Sequence, residues 1–211
     1  MIALIVSLIA VHSIDASRPA PAASAPSAAG AVPAVRCPPD ADEVQRLLSL
    51  PQSDFDQNPR SGWRLYASNR CYSDAAALIA GYIAHRNPGL GALSLLRFHQ
   101  FQMLAYAGDT CGALAVLEEV ERIDAARNAD AGWRLYVAGT RAFLENRREE
   151  LEAHAAALIA FADRRGPTER AARLNANVLQ GLVRCFGRPY AAAYGPPCAD
   201  REAARRITMR E

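Results

Sequence analysis

The chain has no lysine; all of its basic residues are arginine. Compositional bias accounts for such a preference without implying a function. Aromatic residues are scarce at 7% although half of the chain is apolar, and much of the remainder is alanine. With β-branched residues few, this argues against a sheet and for closely packed helices. A large excess of one charge is also missing. The formal net charge of +2 falls short of the strong basic surplus of a dedicated nucleic-acid binder. The standard catalytic motifs are lacking too. No phosphate loop is present, and Gly89-Leu90-Gly91 has neither a third glycine nor a preceding strand. There is no nucleophile elbow. No histidine pair has HExxH spacing and no CxxC occurs, so a zinc site has no support. No cofactor is implied.

Long hydrophobic runs are absent as well. Ile2 to Val11 is apolar for ten residues, too short to span a bilayer as a helix. It suits the core of a secretory signal, with small residues following at Ala20-Pro21-Ala22, although no arginine precedes the run. Residues 1–22 are therefore read as a signal peptide and the protein as periplasmic or secreted, without a stable membrane span. Cys37 follows Arg36 far beyond the apolar run, which is not the setting of a lipid-anchored cysteine. Residues 23–37 are rich in Ala and Pro, with too little apolar bulk to offset their ordering entropy, and read as a disordered linker. The folded domain is expected over residues 38–211.

What is present is a repeat. Gly62-Trp63-Arg64-Leu65-Tyr66 recurs as Gly132-Trp133-Arg134-Leu135-Tyr136, and Phe98 lies midway, giving three aromatic residues at intervals of 35. That period suits a helix pair. A leading helix is expected over Asp40 to Leu50, ended by Pro51 and the polar run to Pro59. The first pair follows, with Trp63, Tyr66 and Ala67 on one face and Ala75 to His85 as partner, stopped by Asn87-Pro88-Gly89. The second runs from Leu93 to Tyr106, turns at Gly108-Asp109, and continues with Ala113, Val116, Leu117, Val120 and Ile123 on one face. In the third, Trp133, Tyr136, Val137, Thr140, Phe143 and Leu144 oppose Leu151, His154, Ala155, Leu158, Ile159 and Ala162. Trp133 is expected to be buried. A last helix, Thr168 to Phe186, presents Ala171, Leu174, Val178, Leu182 and Cys185 to the preceding pair and covers the open end of the stack. The glycines and prolines beyond it predict an irregular segment, then a short polar helix over Ala199 to Arg206.

Trp63, Phe98 and Trp133, with Ala107-Gly108-Asp109, Ala113 and Leu117, resemble the tetratricopeptide-repeat family of helix-turn-helix solenoids. The resemblance covers Gly62 to Ala162. It departs from the family in a longer turn in the third pair and in shifted small-residue positions, so the chain is TPR-like. Phe98 to Gln102, Tyr136 to Leu144 and Asn177 to Tyr194 also resemble a bacterial group of TPR-like proteins without an assigned activity. The resemblance implies an all-α, right-handed superhelical array of antiparallel helix pairs with a C-terminal capping helix. The second resemblance supplies no mechanism; with the export reading and the missing catalytic motifs, the chain is expected to be a binding module of the cell envelope rather than an enzyme.

Arg64, His99 and Arg134 each follow the aromatic anchor of their pair. In TPR-like arrays this position tends to face the concave side, which would stack the three into one column with Ser68, Met103, Tyr106 and Arg141 nearby. Arginines suit a two-point grip on carboxylates. The column therefore points to a protein or peptide partner with an acidic segment or a terminal carboxylate. Solvated or locally paired arginines are the plainer reading. A small-ligand or enzymatic pocket around His99 is a second reading, and a structural subunit of an envelope complex a third. His85 complements a helix end. His154 reads as a core histidine with Glu150 as its partner. Of the five cysteines, Cys185 and Cys198 flank a turn-rich stretch and are one candidate bridge; Cys71 and Cys111 are another, both near turns. Cys37 is left unassigned, and buried reduced cysteines are the plainer alternative.

If the signal is cut as expected, N-terminal sequencing of the native protein should find a start between Ser17 and Pro26. A chain that still begins at Met1 contradicts export.

Overall fold

The computed structural model describes residues 34–166, 169–195 and 198–199. The chain separates into two units, Met1–Ala31 and Val32–Glu211, and every described residue belongs to the second. The expected signal, most of the linker, and the polar helix beyond Ala199 lie outside the described residues.

Helix α1, Ala41–Leu48, starts where Asp40 accepts a hydrogen bond from the Glu43 amide at 2.9 Å, a cap worth about 1 kcal/mol. The stretch after Pro51, expected as a polar break, instead makes a π-helical turn over Ser53–Gln57 that buries both Phe55 and Asp56. Phe55 stacks on Tyr82, ring centroids 3.8 Å apart. Helix α2, Gly62–Ser68, then begins directly against this turn. Gly62 has φ of 56°, and a Cβ there would lie 1.9 Å from the Phe55 carbonyl oxygen. Only glycine permits both the left-handed backbone and that approach.

The remaining helices follow the expected order: α3 (Tyr72–Arg86), α4 (Leu90–Ala107), α5 (Thr110–Ala126), α6 (Ala131–Leu144), α7 (Arg148–Arg165) and α8 (Arg170–Arg184). Asn87 and Gly108 end α3 and α4 in the left-handed region, the usual C-terminal stop. Asp109 and Asp130 cap α5 and α6 through the Gly112 and Gly132 amides, at 2.9 and 2.8 Å. From α2 to α8 each helix packs on the next in the chain, and α8 also packs on α6. No strand occurs among the described residues, as the all-α expectation requires. The irregular stretch after α8 contains one more short helix, α9, over Tyr190–Ala193.

Apolar side chains gather in two buried clusters. One holds Leu47, Phe55, Trp63, Ile79 and Tyr82; the other holds Phe101, Leu117, Tyr136, Leu158 and Leu179. Leu104 and Tyr106 of α4 pack against both. The expected stripes of α5, α6 and α7 are buried or half-buried throughout, though Trp133 is only half-buried while Trp63 is 2% exposed. Glu150 pairs with Arg147 rather than with His154.

Two expectations need correction. In α8 the buried positions are Ala172, Ala176, Leu179, Gly181 and the expected Leu182, and the expected Val178 and Cys185 pack half-buried, while Ala171 and Leu174 are exposed. The helix is turned because Leu179 fits against the bare backbone of Gly139 on α6. Cys71 is bridged to Cys37, Cα atoms 6.1 Å apart, and not to Cys111. Cys111 faces solvent in the first turn of α5, whereas Val35 packs on the cluster beside Cys71 and brings Cys37 within bridging reach. The other expected bridge, Cys185–Cys198, is formed with Cα atoms 5.9 Å apart.

The Gly139 contact gives a test. Alanine there would place its Cβ 2.6 Å from Cδ1 of the fully buried Leu179. Overpacking costs about 1–3 kcal/mol, against a helix-propensity gain of about 1 kcal/mol. Gly139→Ala should therefore lower the melting temperature; one equal to or above the wild type contradicts the α6–α8 packing.

Candidate functional site

Asp56 is fully buried, and three elements converge on it. From α2 the Trp63 indole N–H donates to Oδ1 at 2.8 Å. From α4 the His99 Nδ1 meets the same oxygen at 2.7 Å. Gln57 of the π-helical turn donates to Oδ2. Arg64 donates through Nε to the Asp56 carbonyl oxygen and lays its guanidinium over the Trp63 ring, 4.4 Å from the centroid. A buried carboxylate survives only with such a set of donors. Burial pushes the Asp56 carboxyl up, but the hydrogen bond and charge of His99, the Trp63 bond and the Arg64 charge together outweigh it. The group is held below the usual carboxylate range. Using Nδ1 for Asp56 leaves Nε2 as the ring nitrogen through which His99 can meet a ligand.

A second carboxylate repeats the indole–carboxylate bond two pairs along. Asp124 is 2% exposed and accepts from the Trp133 indole at 2.6 Å, the Ser94 hydroxyl at 2.6 Å and Arg127 Nε at 2.8 Å. Rings also touch across repeats: Trp63 lies 5.2 Å from His99, the residue after the Phe98 anchor, and Phe98 lies 4.8 Å from Trp133, between ring centroids.

The expected column is assembled only in part. Arg64 and His99 come together at Asp56. Ser68, the last residue of α2, is exposed, and so is Arg134, whose side chain has no hydrogen bond or ion pair among the described residues. Met103 is 5% exposed and belongs to the core. Arg141 is engaged: Nε and Nη2 grip Glu121 at 2.7 and 2.9 Å, and Nη1 reaches Glu145 at 3.1 Å. Tyr106 is half-buried, stacked on Tyr72 at 5.2 Å and edge-on to Tyr190 and Tyr194 at 5.4 and 5.7 Å.

Those last two tyrosines come from α9 and its end, residues that the sequence pattern placed in an irregular segment. Tyr190 is buried against Phe101, Tyr106 and Phe143. The Tyr194 hydroxyl lies 3.2 Å from both Gln102 Nε2 on α4 and the Tyr136 hydroxyl on α6. Their spacing of four residues, right for one helical face, was the available signal. Asp56, inside Asp54-Phe55-Asp56, had none.

Other groupings bear less on this site. Among the described residues Cys37, Cys71 and Asp74 form one grouping of metal-type ligand atoms, but both sulfurs are spent on their disulfide. Clefts of about 340, 260 and 130 Å³ are present among the described residues, and none of the three is lined by Arg64, His99 or Asp56. No helix among these residues is long and apolar enough to cross a membrane. No protein family, curated protein or solved structure matches this chain.

Asp56→Asn tests the buried node, since an amide cannot accept from all of its donors. The loss should be on the order of 2–4 kcal/mol near neutral pH. Because the folded-state pKa is depressed, the carboxylate contributes fully above about pH 4, where aspartate in the unfolded chain is ionised too. Its contribution fades as pH falls through the lower folded value. The stability gap between wild type and variant should therefore narrow below about pH 4; a gap constant between pH 7 and pH 3 contradicts the assignment.

Proposed function

We propose that this chain is a TPR-like, non-catalytic module of the bacterial cell envelope. In this reading it binds a protein or peptide partner through the face bearing Arg64 and His99. The observation that carries the reading is their convergence on Asp56. Arg64 is held between the Trp63 ring and a backbone carbonyl, and His99 is oriented by a buried carboxylate. A positioned guanidinium loses less side-chain entropy on gripping a carboxylate than one that is free in water. An acidic segment or a terminal carboxylate is the chemistry that such a pair receives, with exposed Arg134 adding to the field. The contacts between Trp63 and His99 and between Phe98 and Trp133 support a repeating array, with α8 as its terminal cover. Two disulfides support an oxidising compartment.

The His99–Asp56 pair also favours a second reading, a small-ligand or enzymatic site around His99. A buried carboxylate on Nδ1 is the support that a general base requires. An enclosed pocket against Nε2 is what this reading needs in addition.

The two readings separate experimentally. Partners captured from an envelope extract should be lost with Arg64→Glu combined with Arg134→Glu, helical circular dichroism being retained, and capture should weaken with added salt. Capture that survives both the double change and high salt places the binding surface elsewhere. His99→Gln that abolishes turnover of a small substrate would favour the second reading.

A further inference from the structure

The face carrying Arg64 and His99 is covered in part by the chain itself. Gln102 lies one turn beyond His99 on α4, on the same side of the helix, and it donates to the Tyr194 hydroxyl at 3.2 Å. Tyr136 of α6 meets that hydroxyl at the same distance. Tyr194 also lies near enough to Arg64 to interact with its charge. The described part of the segment, from Cys185 to Gly195, is thus laid across α4 and α6, with its second tyrosine bonded one turn beyond His99.

Core packing of Tyr190 and Ala193, the two Tyr194 hydrogen bonds and a covalent closure hold the segment there. Helix α9 has four residues, far too few to persist alone. Tyr190 is buried in an aromatic cage, yet its hydroxyl is shut away from water without a hydrogen-bond partner, which offsets part of the gain from burying its ring. Gly187, with φ of 82°, supplies a pivot just after α8. The far end is fastened twice to the end of α8. The Cys185–Cys198 disulfide closes it over a separation of 13 residues, and Arg184 donates to the Cys198 carbonyl oxygen through Nε and Nη2, at 2.9 and 2.6 Å. Cys185 is the more accessible sulfur, half-buried where Cys198 is 1% exposed.

We propose that residues 185–195, fastened at Cys198, form a redox-released strap over the Arg64–His99 face, and that a dithiol opens it by reducing the Cys185–Cys198 disulfide. The reductant's thiolate attacks Cys185 Sγ, a mixed disulfide forms, and Cys198 leaves as a thiolate that takes up a proton. The reductant's second thiolate then attacks its own sulfur in the mixed disulfide and releases the Cys185 thiol. Overall two electrons and two protons pass to the protein, and the dithiol becomes a disulfide. The inference rests on the reading above that this face binds an acidic segment, and it refines the class of partner. A segment replacing the strap must refill the Tyr190 and Tyr194 positions with aromatic side chains while presenting carboxylates to Arg64. The partner is therefore an acidic peptide with two aromatic residues four apart.

The experiment uses the full chain in three forms: oxidised, treated with dithiothreitol, and Cys185→Ser with Cys198→Ser, which leaves the Cys37–Cys71 bridge intact. Amide exchange over residues 187–195 and modification of His99 by diethyl pyrocarbonate, mapped by mass spectrometry, report release without any ligand. Both should rise about tenfold or more once the bridge is gone, with exchange in α5 unchanged. Rates that stay at the oxidised level in both bridge-free forms overturn the strap. If the double variant loses its helical circular dichroism, Gln102→Ala decides instead, since it loosens the Tyr194 anchor with the bridge intact. His99 labelling that stays at the wild-type rate in this variant overturns the proposal. The probe peptide Glu-Glu-Tyr-Ala-Ala-Ala-Tyr-Glu-Glu should bind the opened forms at least about tenfold more tightly than the oxidised form, and lose that binding with Arg64→Glu. Release without peptide binding leaves the strap standing and removes the peptide-binding reading.

Discussion

An indole N–H donating to a carboxylate that has no access to water sets the geometry of both halves of the array. Trp63 with Asp56 and Trp133 with Asp124 are the two instances. Each aspartate carries a desolvation cost of several kcal/mol unless its donors arrive together, so the elements supplying them are fixed relative to one another. Asp56 joins the π-helical turn to α2 and α4; Asp124 joins α5 to α4 and α6. The arrangement of Arg64 and His99 follows from the first of these. Arg64 is placed by the ring that Asp56 orients, and His99 by Asp56 itself.

The chain's own tyrosines give that face a character different from an open groove. Tyr190 belongs to the core, and Tyr194 closes a row of polar contacts from Gln102 to Tyr136. Burial pushes the Tyr190 hydroxyl well above its ordinary pKa, and likewise that of Tyr136, so these groups stay neutral and act only through packing and hydrogen bonding. Around them the charged groups are divided: Arg141 is committed to Glu121 and Glu145, while Arg64 and Arg134 are not paired with an acidic side chain among the described residues.

The order of the helices was legible because apolar residues at helical spacing, glycine and proline stops and aspartate caps all agree along α3 to α7. Of the three residues at the 35-residue interval, Phe98 and Trp133 touch across repeats, while Trp63 meets His99, the residue after Phe98. The Cys185–Cys198 bridge was readable from its short, turn-rich interval. Other features depended on contacts that no local pattern carries. Asp56 looks like one acid among several in a polar run; its burial comes from Gly62 admitting α2 against the π-helical turn. The true inner face of α8 depended on a glycine on another helix. The pairing of Cys37 with Cys71 required knowing where the chain enters the fold. Tyr190 and Tyr194 were hidden among glycines and prolines that ordinarily signal a loop. Arg64 and His99 were found because both sit on the periodic frame, whereas Met103 and Arg141 share its spacing but are claimed by the core and by glutamates.

Helix α4 holds a place in both halves. Its Ser94 bonds to one buried aspartate and its His99 to the other, and its Leu104 and Tyr106 lie between the two apolar clusters. Solenoids of helix pairs commonly fray from their ends, each pair melting nearly on its own. With a helix that serves two carboxylates at once, detaching either flank breaks a hydrogen bond between α4 and a buried aspartate. The two apolar clusters are therefore tied together through α4, and a cut at the α4–α5 turn separates Ser94 from Asp124.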